Sequence, residues 1–153
     1  DVGCGRGDFS RFIIEHVNSD IQYFGIDKNP IMNTIADIKY PGINITHVDF
    51  DVLLAPLSPY DWVFHINNLS VNYGNIKPDE TKYDYLQSVI SKSLSISKDG
   101  VILILNSDSE DENIITHSID KVVMILKDMN VRFAIDNTDI RNTYKVIIYN
   151  KPF

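Results

Sequence analysis

Basic charge is scarce in this 153-residue chain: 14 lysines and arginines stand against 21 aspartates and glutamates, a formal net charge of −7 at neutral pH. A surface that holds a nucleic-acid backbone ordinarily gathers lysine and arginine on one face. Here Lys77, Lys82, Lys92 and Lys98 come nearest to a patch, and that stretch reads as the solvated side of a helix. Nucleic-acid partners are disfavoured but left open. Cysteine is almost absent. The lone Cys4 excludes an internal disulfide, and a reducing, cytoplasmic setting is expected. No apolar run approaches the roughly 20 residues that span a bilayer, and no signal peptide is visible, so no membrane partner is expected. The histidines His16, His47, His65 and His117 lack the spacing of metal ligands, with His16 and His117 expected on helices, and no metal site is expected. No repeat, linker or low-complexity tract interrupts the chain, which reads as one domain over residues 1–153. Its 44% apolar and 23% charged residues are ordinary for a globular protein.

Glycine is sparse too, yet three of its seven copies fall at positions 3, 5 and 7. The segment Asp1-Val2-Gly3-Cys4-Gly5-Arg6-Gly7-Asp8 is followed by an amphipathic stretch and then by Phe24-Gly25-Ile26-Asp27. A glycine can adopt positive φ and let a ligand approach the backbone closely. A helix starting near Asp8 would aim free N–H groups and a positive dipole end at the same place. Asp27, at the tip of the next strand, is placed to accept hydrogen bonds from a ribose diol. Three readings compete: a bare strand-to-helix turn, a nicotinamide or flavin site, and a nucleoside site of another kind. The dinucleotide fingerprint G-x-G-x-x-G requires a third glycine where this chain has Asp8, whose carboxylate opposes a pyrophosphate. Cys4 reads first as a small residue packed under the loop.

The alternation Gly3, Gly5, Gly7 with an acid at Asp1 resembles motif I of the class I S-adenosylmethionine-dependent methyltransferases, written (D/E)-x-G-x-G-x-G. The acid suits a ligand that carries an ammonium and a sulfonium. The resemblance implies S-adenosyl-L-methionine as cofactor, held by Asp1, Gly3, Cys4, Gly5, Gly7, Asp27 and Lys28. It implies that Asp49, at the end of a strand over 44–50, contacts the adenine amino group and that Phe50 packs on the ring; Asp51 competes with Asp49 for that place. It also implies that Tyr60 to Ile66 is the fourth strand, with His65 near the methionine part of the cofactor, and that Lys98-Asp99-Gly100 is the turn before the fifth.

The implied fold is α/β: a three-layer, doubly wound, mostly parallel sheet of seven strands in the order 3-2-1-4-5-7-6, strand 7 antiparallel. Asp1-Val2 would then be the last residues of the central strand, so the chain is expected to start within strand 1 of a longer protein, with a complete C-terminus. Periodicity places helices at about 9–17 (Phe9, Phe12, Ile13 and Val17 on one face), from Pro30 to Pro41 (Asn29 as cap; Ile31, Ile35 and Ile38 inward), from near Pro78 (Tyr83, Leu86, Ile90 and Leu94 inward) and over 112–129 (Ile115, Ile119, Val122 and Leu126 inward). Further strands are expected over 21–26, 131–136 and 143–149, with a turn at 139–142. Ligands of such sheets bind beyond the carboxyl ends of the strands. That rule gathers the glycine loop, Asp27, Asp49 and the segment His65 to Gly74 about one crevice.

The expected function is methyl transfer to an oxygen or nitrogen of a small-molecule acceptor. His65 as a near-neutral general base, Asn68 and Tyr73 are the catalytic candidates; His65 within a strand and Asn67 and Asn68 capping a turn is the structural alternative. The N/D-P-P-Y pattern of amino-group methylation, a cysteine for attack on pyrimidine C5 and the Lys-Asp-Lys-Glu set of ribose 2′-O-methylation are not found. Two other functions stay open: a non-catalytic methyltransferase-like binding module of a larger protein, and an RNA-directed enzyme whose basic region lies elsewhere.

Overall fold

The structure, a computed structural model, describes residues 1–17, 19–54, 56–66, 68–69, 81–107, 116–138 and 142–150. It divides into two compact regions, Asp1–Leu54 and Ala55–Phe153.

In the first region, helix α1 (Asp8–His16) leads to strand β1 (Gly25–Asp27), helix α2 (Pro30–Lys39) and strand β2 (Ile45–His47). β1 and β2 pair in parallel, Asp27 opposite His47, and Val2 adds a single parallel bridge to Ile26. Val2, β1 and β2 thus lie side by side in the relative order expected of strands 1, 2 and 3. Strand β1 begins only at Gly25, four residues later than the run from Ile21 led one to expect. α2 starts as expected: the Asn29 side chain accepts from the Ile31 N–H at 3.0 Å and Pro30 occupies the first turn, where its missing N–H costs nothing. Its buried face is not the isoleucine stripe. Asn33 and Ala36 are buried, while Ile31 and Ile38 are 64% and 77% exposed. Phe12 and Val17 of the first amphipathic stretch are exposed as well, and the buried residue of α1 is Ser10.

The second region holds strand β3 (Tyr60–Ile66), helix α3 (Lys82–Ile96), strand β4 (Ser97–Asn106), helix α4 (Ile119–Asp128) and strands β5 (Arg132–Asn137) and β6 (Thr143–Tyr149). Its sheet runs β3-β4-β6-β5, with β3 and β4 parallel and β6 antiparallel to both neighbours. This matches the expected 4-5-7-6 portion and its antiparallel last strand. Alternation builds the core: Val101, Leu103 and Leu105 pair with Ile148, Val146 and Tyr144, and all six are shielded from solvent. Leu86, Val89, Ile90, Ser93 and Ile96 of α3 and Val122 and Leu126 of α4 supply further buried side chains.

Boundaries differ in the second region as well. Thr81 caps α3 through a reciprocal box with Asp84, so the helix begins at Lys82; Pro78 lies outside the described residues. Lys98-Asp99-Gly100 is drawn into β4, the irregularity appearing as a register shift between Tyr60 and Trp62 of β3. α4 begins at Ile119, so His117 is not helical; Ile115 and the expected turn at 139–141 lie outside the described residues.

Candidate functional site

The first region holds the glycine loop and Asp27. Gly3, Gly5 and Gly7 have φ of 69°, 55° and 79°. The N–H groups of Gly3 and Cys4 both donate to the Ile26 carbonyl, at 2.8 and 3.1 Å, so the loop is hung from the middle of β1. The Gly5 N–H donates to Asp27 Oδ2 at 2.9 Å, and the Asn29 N–H donates to Asp27 Oδ1 at 2.8 Å. Each oxygen of Asp27 is held by one backbone donor, and each retains acceptor capacity for a hydroxyl. The structure therefore brings Gly5 and Asp27 together, as their spacing suggested.

The glycines do different work. A Cβ on Gly5 would meet no atom within 4 Å, so its side-chain direction opens onto free space. A Cβ on Gly7 would sit 2.9 Å from Ile45 Cδ1, which makes Gly7 a packing residue. Cys4 is buried with Sγ toward Gly25, and burial raises its thiol pKa to about 11. The thiol is therefore neutral and inert, and only the Cys4 backbone can serve a ligand.

Asp1 accepts a 2.6 Å hydrogen bond on Oδ2 from the Tyr23 hydroxyl, while its Oδ1 is buried without a partner among the described residues. Burial raises the Tyr23 pKa, so the hydroxyl keeps its proton and donates. A buried carboxylate oxygen with no donor matches the demand of a ligand ammonium. Asp8 does not stand as a bare repulsive charge: Lys39 (2.5 Å), the Tyr40 hydroxyl (2.7 Å) and Arg6 (3.0 Å) all reach its carboxylate. Those hydrogen bonds, Lys39 first, hold its pKa below the usual carboxylate range. The case against a pyrophosphate consequently rests on glycine spacing more than on the charge of Asp8.

Beyond β2, Asp49 caps a short 3-10 turn over Phe50–Val52 by accepting from the Asp51 N–H at 3.1 Å. Phe50 is buried, with 7% of its surface exposed. The Lys28 carbonyl meets His47 Nε2 at 2.8 Å, and Val48 N–H donates to the Asp27 carbonyl, so Lys28, Asp27 and the start of the Asp49 turn are tied through the backbone.

In the second region His65 is wholly buried in β3. Its Nε2 lies 2.8 Å from Ser93 Oγ and its Nδ1 is 3.2 Å from Asn68 Nδ2. Burial lowers its pKa to about 3. A general base poised near neutrality needs an accessible nitrogen and a pKa near 7. The general-base expectation for His65 is corrected: it is a neutral interior histidine. Tyr73 lies outside the described residues. Sequence reasoning missed Tyr23 and Ser93. Ser93 was legible in principle, because it continues the apolar face Leu86, Val89, Ile90 of α3 at helical spacing. Tyr23 carried no such signal. Among the described residues no group of three His, Cys, Asp or Glu could hold a metal ion, and no helix is long and apolar enough to cross a membrane.

A family profile described as a methyltransferase domain matches residues 1–83, which is 83 of the 153 residues. The chain belongs to the class I S-adenosylmethionine-dependent methyltransferase family. Solved structures agree on the fold of this methyltransferase domain. Magnesium protoporphyrin IX methyltransferase from Synechocystis PCC 6803, with bound S-adenosylmethionine, aligns at 19% identity over 97% of this chain and 67% of its own, with a TM-score of 0.70. CalS10, an amino pentose methyltransferase from Micromonospora echinaspora, aligns at 10% identity over 99% of this chain and 82% of its own, with a TM-score of 0.71. A chain of the Pnkp1/Rnl/Hen1 RNA repair complex aligns at 13% identity over 97% of this chain and 36% of its own, with a TM-score of 0.66. No curated protein sequence matches the chain.

Proposed function

We propose that the domain binds S-adenosylmethionine on Asp1, the Gly3–Gly7 loop and Asp27, and transfers its methyl group to an oxygen or nitrogen of a small-molecule acceptor. The observation that carries this reading is the 2.9 Å hydrogen bond from Gly5 to Asp27, formed beside a glycine whose side-chain direction is open. It fixes a diol acceptor against a backbone that a nucleoside can approach. When bound, the cofactor supplies an electrophilic methyl on a sulfonium for in-line displacement. The residues position and screen. Asp27 accepts from the ribose hydroxyls, and the free Oδ1 of Asp1 takes the ammonium. Asp49, whose carboxylate is steadied by the Asp51 N–H, meets the adenine amino group; Lys28 contributes backbone, and Phe50 backs the ring from the interior. Positioning of this kind accounts for much of the rate when the electrophile is built in.

The excess of acids over bases favours a small acceptor over a polyanion, and the single buried cysteine is compatible with a cytoplasmic setting. A second reading, a binding module without catalysis, draws on one observation: the buried His65 offers no proton acceptor near neutrality. The RNA-directed alternative has weaker support, in a fold likeness to one chain of an RNA repair complex. Radiolabelled methyl transfer to catechol, an aminosugar and a short single-stranded RNA separates the three. Label in catechol or the sugar is the expected result. Label in the RNA alone reverses the acceptor class, and no label in any, with S-adenosylhomocysteine still bound, leaves the binding module.

A further inference from the structure

Strand β5 ends the sheet of the second region. It pairs with β6 on one side, and among the described residues no strand pairs with its other edge. An open edge presents a row of backbone N–H and C=O groups that can extend the sheet into another chain, and native edges are commonly spoiled by proline, a bulge or repeated like charge. β5 has none of these. Arg132-Phe133-Ala134-Ile135-Asp136 contains no proline or glycine, and its two charges are opposite in sign. Its register with β6 runs unbroken from Arg132 opposite Tyr149 to Asn137 opposite Tyr144.

The strand is its own complement. Side chains alternate between faces, so Arg132, Ala134 and Asp136 share one face and Phe133 and Ile135 the other. Two copies paired antiparallel about a two-fold axis at Ala134 would set Arg132 opposite Asp136 of the second copy, Phe133 opposite its Ile135, and Ala134 opposite Ala134. Opposite charges and aromatic–β-branched pairs both stabilise antiparallel strands. The next registers that keep the faces matched are centred on Phe133 or Ile135. Each sets Arg132 or Asp136 opposite Ala134 and loses both charge pairs.

The surroundings suit that register. Phe133 and Ile135 are half-buried and pair with Ile148 and Val146, which pair in turn with Val101 and Leu103, so docking would carry two buried apolar rows on into the second copy. Arg132 and Asp136 are exposed. The Arg132 guanidinium lies over the Tyr149 ring, 4.9 Å from its centroid, and Asp136 Oδ2 lies 3.2 Å from Lys145 Nζ. Both charged heads are thereby held on the face where the new pairs would form, and a bridge as exposed as that to Lys145 binds the carboxylate only weakly.

We propose that β5 is a self-association edge, on which a second copy of this chain docks antiparallel about Ala134 to give an isologous, two-fold dimer. The charge order of the strand, matched by its own reverse, selects a second copy over another protein. The sheets of the two second regions become one continuous sheet, and the interface is independent of the cofactor assignment.

Sedimentation velocity over a concentration series tests this by following the 17.5 kDa chain toward twice that mass. Arg132→Glu and Asp136→Arg should each weaken self-association about tenfold or more, since each replaces two attractive pairs by two repulsive ones. An equimolar mixture of the two variants should recover association, because their like-charge pairs become opposite-charge pairs between them. Misfolding of either variant could not produce that recovery. Ala134→Cys should form a disulfide-linked dimer under mild oxidation, because opposite residues of antiparallel strands have Cα atoms about 4.5–5.5 Å apart, within disulfide reach. Asn137→Cys, far from its own counterpart in that register, should not, and the native Cys4 is buried. Should Asp136→Arg fold poorly for want of the Lys145 bridge, the cross-link through Ala134→Cys carries the same reading. Monomer at every concentration, with no such cross-link, overturns the proposal and leaves the edge to an extended segment of another protein. Dimers that persist undiminished in both charge variants overturn it too, because they use another surface.

Discussion

The two regions of this chain spend their residues differently. In Asp1–Leu54 both strands are three residues long, the buried apolar side chains are small or few (Val2, Cys4, Ala36, Phe50), and Phe12, Ile31, Ile38 and Leu54 face outward. In Ala55–Phe153 strands of seven to ten residues interleave Val101, Leu103, Leu105, Tyr144, Val146 and Ile148 with almost no exposure. The first region is organised by backbone hydrogen bonds around positive-φ glycines and carboxylates. The second is organised by apolar burial, which is the larger source of stability. The residues proposed for the cofactor sit where packing is thin, while the better-packed second region buries polar side chains too, among them His65 in β3, Ser93 in α3 and Ser97 in β4.

Two glycines break the comparison most sharply. A Cβ on Gly100 would lie 2.1 Å from the Ile148 carbonyl oxygen, a backbone clash inside the sheet. Gly100→Ala is expected to cost about 3 kcal/mol or more in urea unfolding. Gly5→Val faces no such clash; its φ of 55° costs about 2 kcal/mol of strain. Its main effect should be on S-adenosylhomocysteine, with calorimetric affinity falling about 100-fold or more because the side chain fills the ligand's space. The reverse pattern, binding lost at Gly100 with stability intact, would mean the roles of the two regions are exchanged.

The next effect is one of pH. His65 is neutral in the folded protein down to about pH 3, whereas an unfolded histidine takes its proton near pH 6.5. Below pH 6.5 the unfolded chain therefore binds a proton that the native state refuses, and stability falls as pH falls. By pH 4.5 the loss from this group relative to pH 7 should be about 2.5 kcal/mol. His117, whose pKa burial also lowers, adds in the same direction. Urea unfolding at pH 7 and pH 4.5 measures the fall, and His65→Asn, with no titrating ring, should show a shallower one.

Much of the second region could be read in advance, because long alternating runs leave one register that buries them. The strands at Tyr60–Ile66 and Thr143–Tyr149 begin and end where the apolar pattern does. In the first region the Asn29-Pro30 start of α2 was equally plain, since cap and proline act locally. Which face of α2 is buried was not, because Ile31, Ile35 and Ile38 make a better stripe than the Asn33 and Ala36 that are in fact covered. The Gly5 and Asp27 pairing followed from a spacing with a known geometric purpose. The state of His65 did not, because its partners lie 3 and 28 residues away in the sequence, one of them on a different element.

The smallest expected effects are local. Thr81→Ala should remove the capping box with Asp84 and cost about 1 kcal/mol, seen as a modest drop in melting temperature. Asn33→Leu should raise it, because both polar atoms of that buried amide lack partners among the described residues.

Calorimetric titration of S-adenosylhomocysteine into the protein, with NADH as control and Asp27→Ala as the paired variant, tests the cofactor assignment most directly. Micromolar binding of S-adenosylhomocysteine alone, weakened at least about tenfold in Asp27→Ala, is the expected result. Equal affinity in the variant, or heat from NADH in place of S-adenosylhomocysteine, would contradict it.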